Sequence, residues 1–217
     1  MQRVFDILIS LSVIILLLPV LLITIIVLRF TGEGKIFYIQ ERVGRNRVTF
    51  GLLKFVTMRM NSEKEGTGTI TTRGDKRVLP VGRYLRKSKI NEVPQIFNIF
   101  IGDMSFIGPR PLHQNQFGYY NSIDAGIISS IRPGLSGVGS IFYRNEEDLL
   151  SSNISDPQDF YKNFITPHKA QLEKWYVKNM SISLYFKLII LTILVIINCN
   201  IDIKKMLKIN ENSAARS

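Results

Sequence analysis

Three clusters of charged residues could carry chemistry in this chain. The first is Glu41-Arg42-Val43-Gly44-Arg45-Asn46-Arg47, followed by Lys54 and Arg59. Backbone amides at a glycine turn, with guanidinium groups nearby, suit phosphate binding. A solvated basic face beside anionic lipid would have the same composition. The second cluster is Arg86-Lys87-Ser88-Lys89-Ile90-Asn91-Glu92-Val93-Pro94-Gln95. Ser88 is a candidate N-cap, which would place Asn91 and Glu92 in a first helical turn, where a carboxylate suits the helix dipole. The alternative sets Glu92 beside Arg86, Lys87 and Lys89, where a diphosphate and a metal could meet. The third cluster is Gly102-Asp103-Met104-Ser105-Phe106-Ile107-Gly108-Pro109-Arg110-Pro111. Arg110 stands between two prolines on a stiff backbone, a good mount for bidentate contact with phosphoryl oxygens. Asp103 could cap, ligate a metal or pair with a base. None of the three is specific by itself. Together they describe an anionic-ligand site.

The elements that must position these residues begin with a membrane segment. From Val4 to Leu28 the chain is apolar, with Asp6 as its sole charge. That length suits a membrane helix. It is too long for the core of a signal peptide, and no small-residue cleavage site follows. Pro19 predicts a break or kink inside it. Arg3 precedes the segment and Arg29 and Lys35 follow it, so flanking charge does not orient it. Read from the residues alone, a kinked crossing helix and a helix that bends at Pro19 and returns are both open, and the crossing helix is favoured.

Beyond it, a short strand is expected over Lys35–Gln40, a basic turn at Gly44–Arg47, and a second strand or helix start over Phe50–Met58. Residues 61–76 read as a polar mobile loop. Helices are expected at 80–87, 91–101 and 157–179. Leu184–Ile197 is apolar but short for a span, and is expected to rest on a membrane or pack on the core. The tail from Asn210 reads as disordered. The net charge of +11 over 217 residues suits anionic partners such as phospholipid, nucleotide phosphate or nucleic acid. No nucleic-acid motif accompanies it, so nucleic acid is not an expected partner. Cys199 is the single cysteine, so no disulfide forms within the chain.

The ordered motifs resemble one family, the bacterial sugar transferases, or monotopic phosphoglycosyl transferases. They are Phe5-Asp6 leading into a helix with Pro19, Gln40-Glu41-Arg42-Val43-Gly44, Lys54-Phe55 with Met58-Arg59, and Leu85-Arg86-Lys87. Asn91-Glu92-Val93-Pro94-Gln95-Ile96-Phe97-Asn98, Gly102 to Ser105, Gly108 to Pro111, and Arg132-Pro133-Gly134-Leu135-Ser136-Gly137 continue the series. The resemblance implies an α/β fold, mostly helical: a small globular domain with a short sheet, a re-entrant N-terminal helix and interfacial amphipathic helices. The boundaries implied are an anchor at 1–30, a catalytic domain at 31–209 and a tail at 210–217. It also implies a reaction. A sugar-1-phosphate moves from a UDP-sugar to polyprenyl (undecaprenyl) phosphate, UMP leaves, and magnesium (Mg2+) assists. That is the first membrane step of glycan assembly, at the bacterial inner (cytoplasmic) membrane with the domain facing the cytoplasm. Glu92 and Asn91 are the implied catalytic pair. Lys54, Arg59, Arg86 and Arg110 are implied phosphate ligands, and Glu92 and Asp103 implied metal ligands. Membrane lipid, polyprenyl phosphate and the UDP-sugar are the implied partners. A homodimer and contact with downstream glycosyltransferases stay open.

Two departures matter. The family pattern has an Asp-Glu pair whose Asp is the nucleophile, and this chain has Asn91-Glu92. Glu92 then attacks by itself, or acts as a base in a direct transfer, or the protein is an inactive binding or scaffolding homologue. The family anchor breaks at a Ser-Pro pair, and here Leu18-Pro19 keeps only the proline. With the family in view, the re-entrant form is the expectation. After Gly137 the chain also leaves the family pattern, and Val138–Asp148 either helps choose the sugar or is a plain loop and helix start.

Overall fold

The computed structural model describes residues 2–59, 76–151, 156–197 and 206–207. Most of the expected mobile loop, Cys199 and the expected disordered tail lie outside the described residues.

Helix α1 (Gln2–Arg29) leads to an antiparallel hairpin of β1 (Phe37–Val43) and β2 (Thr49–Phe55). Asn46 and Arg47 both take positive φ in the tight turn between them. Next come α2 (Pro80–Lys87), a single tight turn at Ile90–Glu92, α3 (Gln95–Ile101) and β3 (Ser105–Ile107). Helices α4 (Gln114–Phe117) and α5 (Ser122–Ser129) precede β4 (Gly134–Ser136), which pairs in parallel with β3. Then follow α6 (Val138–Phe142), α7 (Glu146–Ser151), α8 (Pro157–Phe160), a widened helical turn at Tyr161–Ile165, α9 (Thr166–Lys178) and α10 (Ile182–Ile196). The fold is mostly helical with short sheets, as expected. The widened turn ends just before Pro167, whose missing amide cannot close an ordinary turn.

Helix α1 is helical throughout its 28 residues, Pro19 included, although proline removes one backbone donor there. The helix is carried on the domain at both ends. Near its start, Arg3 donates to the carbonyls of Ile99 and Phe100. Asp6, 1 % exposed, accepts at one carboxylate oxygen from Ser105 Oγ (2.9 Å), the Phe106 amide (3.1 Å) and Tyr185 Oη (2.8 Å). Near its end, Leu21 and Leu28 share a core with Phe55 and Leu85, flanked by Ile90 and Val93. Between these contacts Leu11, Ile15, Leu16 and Leu18 are exposed. A stretch this apolar and this exposed suits lipid rather than water.

The largest core joins Val138 and Ile141 of α6, Leu172 and Tyr176 of α9, and Tyr185, Leu188 and Leu191 of α10. Helix α10 buries that face and exposes Ile190, Ile193 and Ile196 on the other. The segment therefore packs on the core, and its other face is apolar and exposed. Ser88 is not an N-cap. It closes the C-terminus of α2, its hydroxyl donating to the Tyr84 carbonyl at 2.8 Å, and Lys89 in the left-handed region (φ 60°) opens the turn that carries Asn91 and Glu92. The sharp reversal between those two elements leaves no room for a serine-capped first turn.

Candidate functional site

The site begins on one face of the hairpin. Strand alternation places Gln40 and Arg42 of β1 on the same side as Lys54 of β2. Gln40 Oε1 accepts from Arg42 Nη2 (2.5 Å), Arg42 Nε (3.2 Å) and Lys54 Nζ (3.2 Å). Its amide nitrogen meets His113 Nε2 at 2.8 Å. One neutral oxygen thus draws two cations to a point. The next strand of the site is irregular: the Val43 amide donates to the Leu112 carbonyl at 2.9 Å, and Arg42 reaches the Pro111 carbonyl. The Gly108-Pro109-Arg110-Pro111 segment is thereby laid beside β1.

Its other side is fixed by glycines. The Gly108 amide donates to the Ser136 carbonyl and the Gly134 amide to the Pro109 carbonyl. A Cβ on Gly134 would lie 2.1 Å from the Gly108 nitrogen, so only glycine lets the two backbones meet so closely. Arg110 emerges at the end of β3, exposed.

Glu92 faces these cations from the turn before α3. Burial pushes its carboxyl up, but Arg110, Lys54, Lys89 and Arg86 together outweigh that and hold it below the usual carboxylate range. It is ionised at neutral pH. Lys54 shows the reverse. Burial, then Arg42, Arg110 and Arg86, push its ammonium down to about 7 against the opposing pull of Glu92. Between about 7 and its ordinary 10.5, the unfolded chain therefore binds the proton that the folded chain has released. Stability of the ligand-free protein is expected to rise with pH across that window, and to lose that component in Lys54→Met. Denaturant unfolding of both proteins at pH 7, 8 and 9 checks it. Parallel profiles would place an ordinary lysine at this position.

The structure brings together Lys54, Arg86, Glu92 and Arg110, and adds Arg42 and Lys89. Asn91 precedes Glu92 in the same turn, 9 % exposed, with its Oδ1 lacking a hydrogen-bond partner. Arg59 is exposed, its amide donating to the Arg77 carbonyl, and is not among the charges acting most strongly on Glu92 or Lys54. Asp103 is elsewhere. It follows α3 while Glu92 precedes it, so the length of that helix, roughly 10 Å, separates them. Its carboxylate accepts from Asn98 Nδ2 at 3.1 Å, and Asn98 also bonds the Leu53 amide and the Gly51 carbonyl. Asp103 therefore helps tie α3 to β2. No group of three or more metal-ligating side chains occurs among the described residues. Glu92 and the unpartnered Asn91 Oδ1 are the donor chemistry that magnesium takes when substrate phosphates complete its shell.

A family model described as bacterial sugar transferase matches residues 1–199. The chain belongs to that family. Among its relatives is a UDP-N-acetylgalactosamine-undecaprenyl-phosphate N-acetylgalactosaminephosphotransferase of Aeromonas hydrophila. It is 36% identical over 170 residues, covering 75% of this chain and 39% of that protein. The exopolysaccharide production protein ExoY of Sinorhizobium fredii is 36% identical over 159 residues, covering 67% of this chain and 70% of that protein. A UDP-glucose:undecaprenyl-phosphate glucose-1-phosphate transferase of Klebsiella pneumoniae is 29% identical over 195 residues, covering 88% of this chain and 39% of that protein. The chain thus spans about two fifths of two of these relatives and most of the third. Within this bacterial sugar transferase, Gln40 is legible from sequence only as the start of a motif, without a role, and His113 is not singled out. The signal for Gln40 was the period of β1, which puts it on the face of Arg42. His113 gave none, because it enters from a separate loop.

Proposed function

We propose that this chain is a phosphoglycosyl transferase that moves a sugar-1-phosphate from a UDP-sugar to a polyprenyl phosphate at a membrane. The observation that carries this reading is an ionised carboxylate, Glu92, ringed by Arg110, Lys54, Lys89 and Arg86, on a domain whose anchor helix leaves a long apolar surface exposed. Glu92 attacks the β-phosphorus. The bond from that phosphorus to the bridging oxygen breaks, and UMP leaves with the electron pair. The sugar phosphate stays on Glu92 as an acyl phosphate. An oxygen of polyprenyl phosphate then attacks the same phosphorus and the carboxylate is restored. Arg110 and Arg86 hold phosphoryl oxygens, and Lys54 neutralises charge on the leaving and attacking phosphates. Bound magnesium, held by Glu92 and substrate oxygens, would add charge neutralisation on the diphosphate. The domain faces the cytoplasm, where nucleotide sugars are made, and its lipid-linked product passes to glycosyltransferases that extend it.

UMP release from a panel of UDP-sugars, with polyprenyl phosphate and magnesium, tests the proposal. Release that depends on the polyprenyl phosphate is the expected result. The second reading, an inactive binding homologue, rests on Asn91 standing where the family pattern has its nucleophile. Silence from the native protein together with release by Asn91→Asp would establish that reading instead.

A further inference from the structure

A second polar cluster lies beside Arg110, and the reaction just described does not use it. Strands β3 and β4 run in parallel, Ile107 opposite Ser136. The first delivers Arg110 and the second delivers α6 and α7 to the same end of the pair, the end at which parallel strands commonly present ligands. There Lys169 of α9, 5 % exposed, forms an ion pair with Glu146 of α7. Its ammonium lies 5.3 Å from the ring centroids of both Tyr143 and Tyr161. Tyr143 Oη is 2.7 Å from His168 Nδ1.

Glu173, one turn further along α9, is 3 % exposed. The amides of Arg110 and Gly139 face its carboxylate. A Cβ on Gly139 would lie 2.4 Å from its Oε1, so the neighbouring helix is cut away to admit it. Its Oε2 has no hydrogen-bond partner. Burial, first of all, pushes this acid up to about 8, so at neutral pH it is mainly a neutral carboxyl.

Burying Lys169, against a half-buried Glu146, and Glu173 costs stability, a cost that a ligand-binding role accounts for. Their charges nearly cancel, which suits an uncharged ligand rather than another phosphate. Aromatic rings beside paired hydrogen-bond donors and acceptors are the chemistry of hydroxyl recognition. We infer that the cluster of Glu146, Tyr143, Lys169 and Glu173 is the subsite for the sugar ring of the nucleotide sugar, reading its hydroxyl pattern while Arg110 and Glu92 hold the diphosphate. The inference rests on the proposed transferase reading. It places sugar choice on α7 and α9.

Equilibrium binding tests it on the full-length protein in lipid nanodiscs. The probes are UMP and four nucleotide sugars: UDP-glucose, UDP-galactose and their N-acetylated counterparts. The variants are Glu146→Gln, which keeps the shape, and Tyr143→Phe, which removes one hydroxyl. Expected is a change of about tenfold or more in the ratio of affinities between the best sugar and its epimer, with UMP affinity within about twofold of native. Loss of UMP and all sugars in parallel, in both variants, would overturn it, as would unchanged ratios. Because binding is read without turnover, an inactive native protein would defeat the transferase reading while leaving this result legible.

Discussion

Glutamine in place of Glu92 is expected to lower UMP release by about a thousandfold or more, the scale on which loss of a group acting in the transition state is felt. The amide has the same shape but cannot form the acyl phosphate. It also removes the negative charge that Arg110, Lys54, Lys89 and Arg86 act on. The accompanying Asn91→Asp variant should retain activity, since it leaves the proposed attacking carboxylate of Glu92 in place and keeps an oxygen donor at the neighbouring position. A Glu92→Gln protein that still released UMP at the native rate would move the attacking group elsewhere. Rapid-quench analysis for a protein-bound phosphosugar separates covalent transfer by Glu92 from a role as a base. The covalent form predicts a labelled native protein and an unlabelled variant.

The second large effect is on stability. Asp6→Ala leaves the Ser105 hydroxyl, the Phe106 amide and the Tyr185 hydroxyl without their common acceptor in a buried setting. Each orphaned donor costs about 1–3 kcal/mol, so a loss of roughly 3 kcal/mol or more is expected. Asp6→Asn makes a sharper comparison. All three bonds end on Oδ1, and an asparagine oxygen can accept the same three, so that variant should lose only about 1 kcal/mol. Denaturant unfolding in a single detergent ranks them. Equal losses in the two variants would mean that charge, not the shared acceptor, is what Asp6 supplies.

Much of the fold was legible because it is local. The hairpin follows from strand alternation around a basic turn, α2 from Pro80 at its start, and α10 from an apolar run. Other details depended on context. Ser88 has the residue type of an N-cap, but Lys89 in the left-handed region makes it close α2 instead. Asp103 carries the residue type of a metal ligand, and the sequence cannot reveal that Asn98 donates to it. Lys54, Arg86, Glu92 and Arg110 were found by charge and by the rigid Pro-Arg-Pro frame. Lys169 and Glu173 were not, since a helix carrying scattered charges reads as a solvated surface until its burial is known, while Glu146 lies in the Val138–Asp148 segment that the sequence left open between sugar choice and a plain loop.

The packing of α1 has one more consequence. Leu21 and Leu28 form, with Phe55 and Leu85, the core against which Ile90 and Val93 pack, the two side chains that bracket Asn91-Glu92. The anchor is therefore not an interchangeable tether. Grafting a foreign helix of equal hydrophobicity onto this domain would replace part of the core beneath the turn that carries Glu92, and chimaeras built that way should be membrane-bound yet impaired.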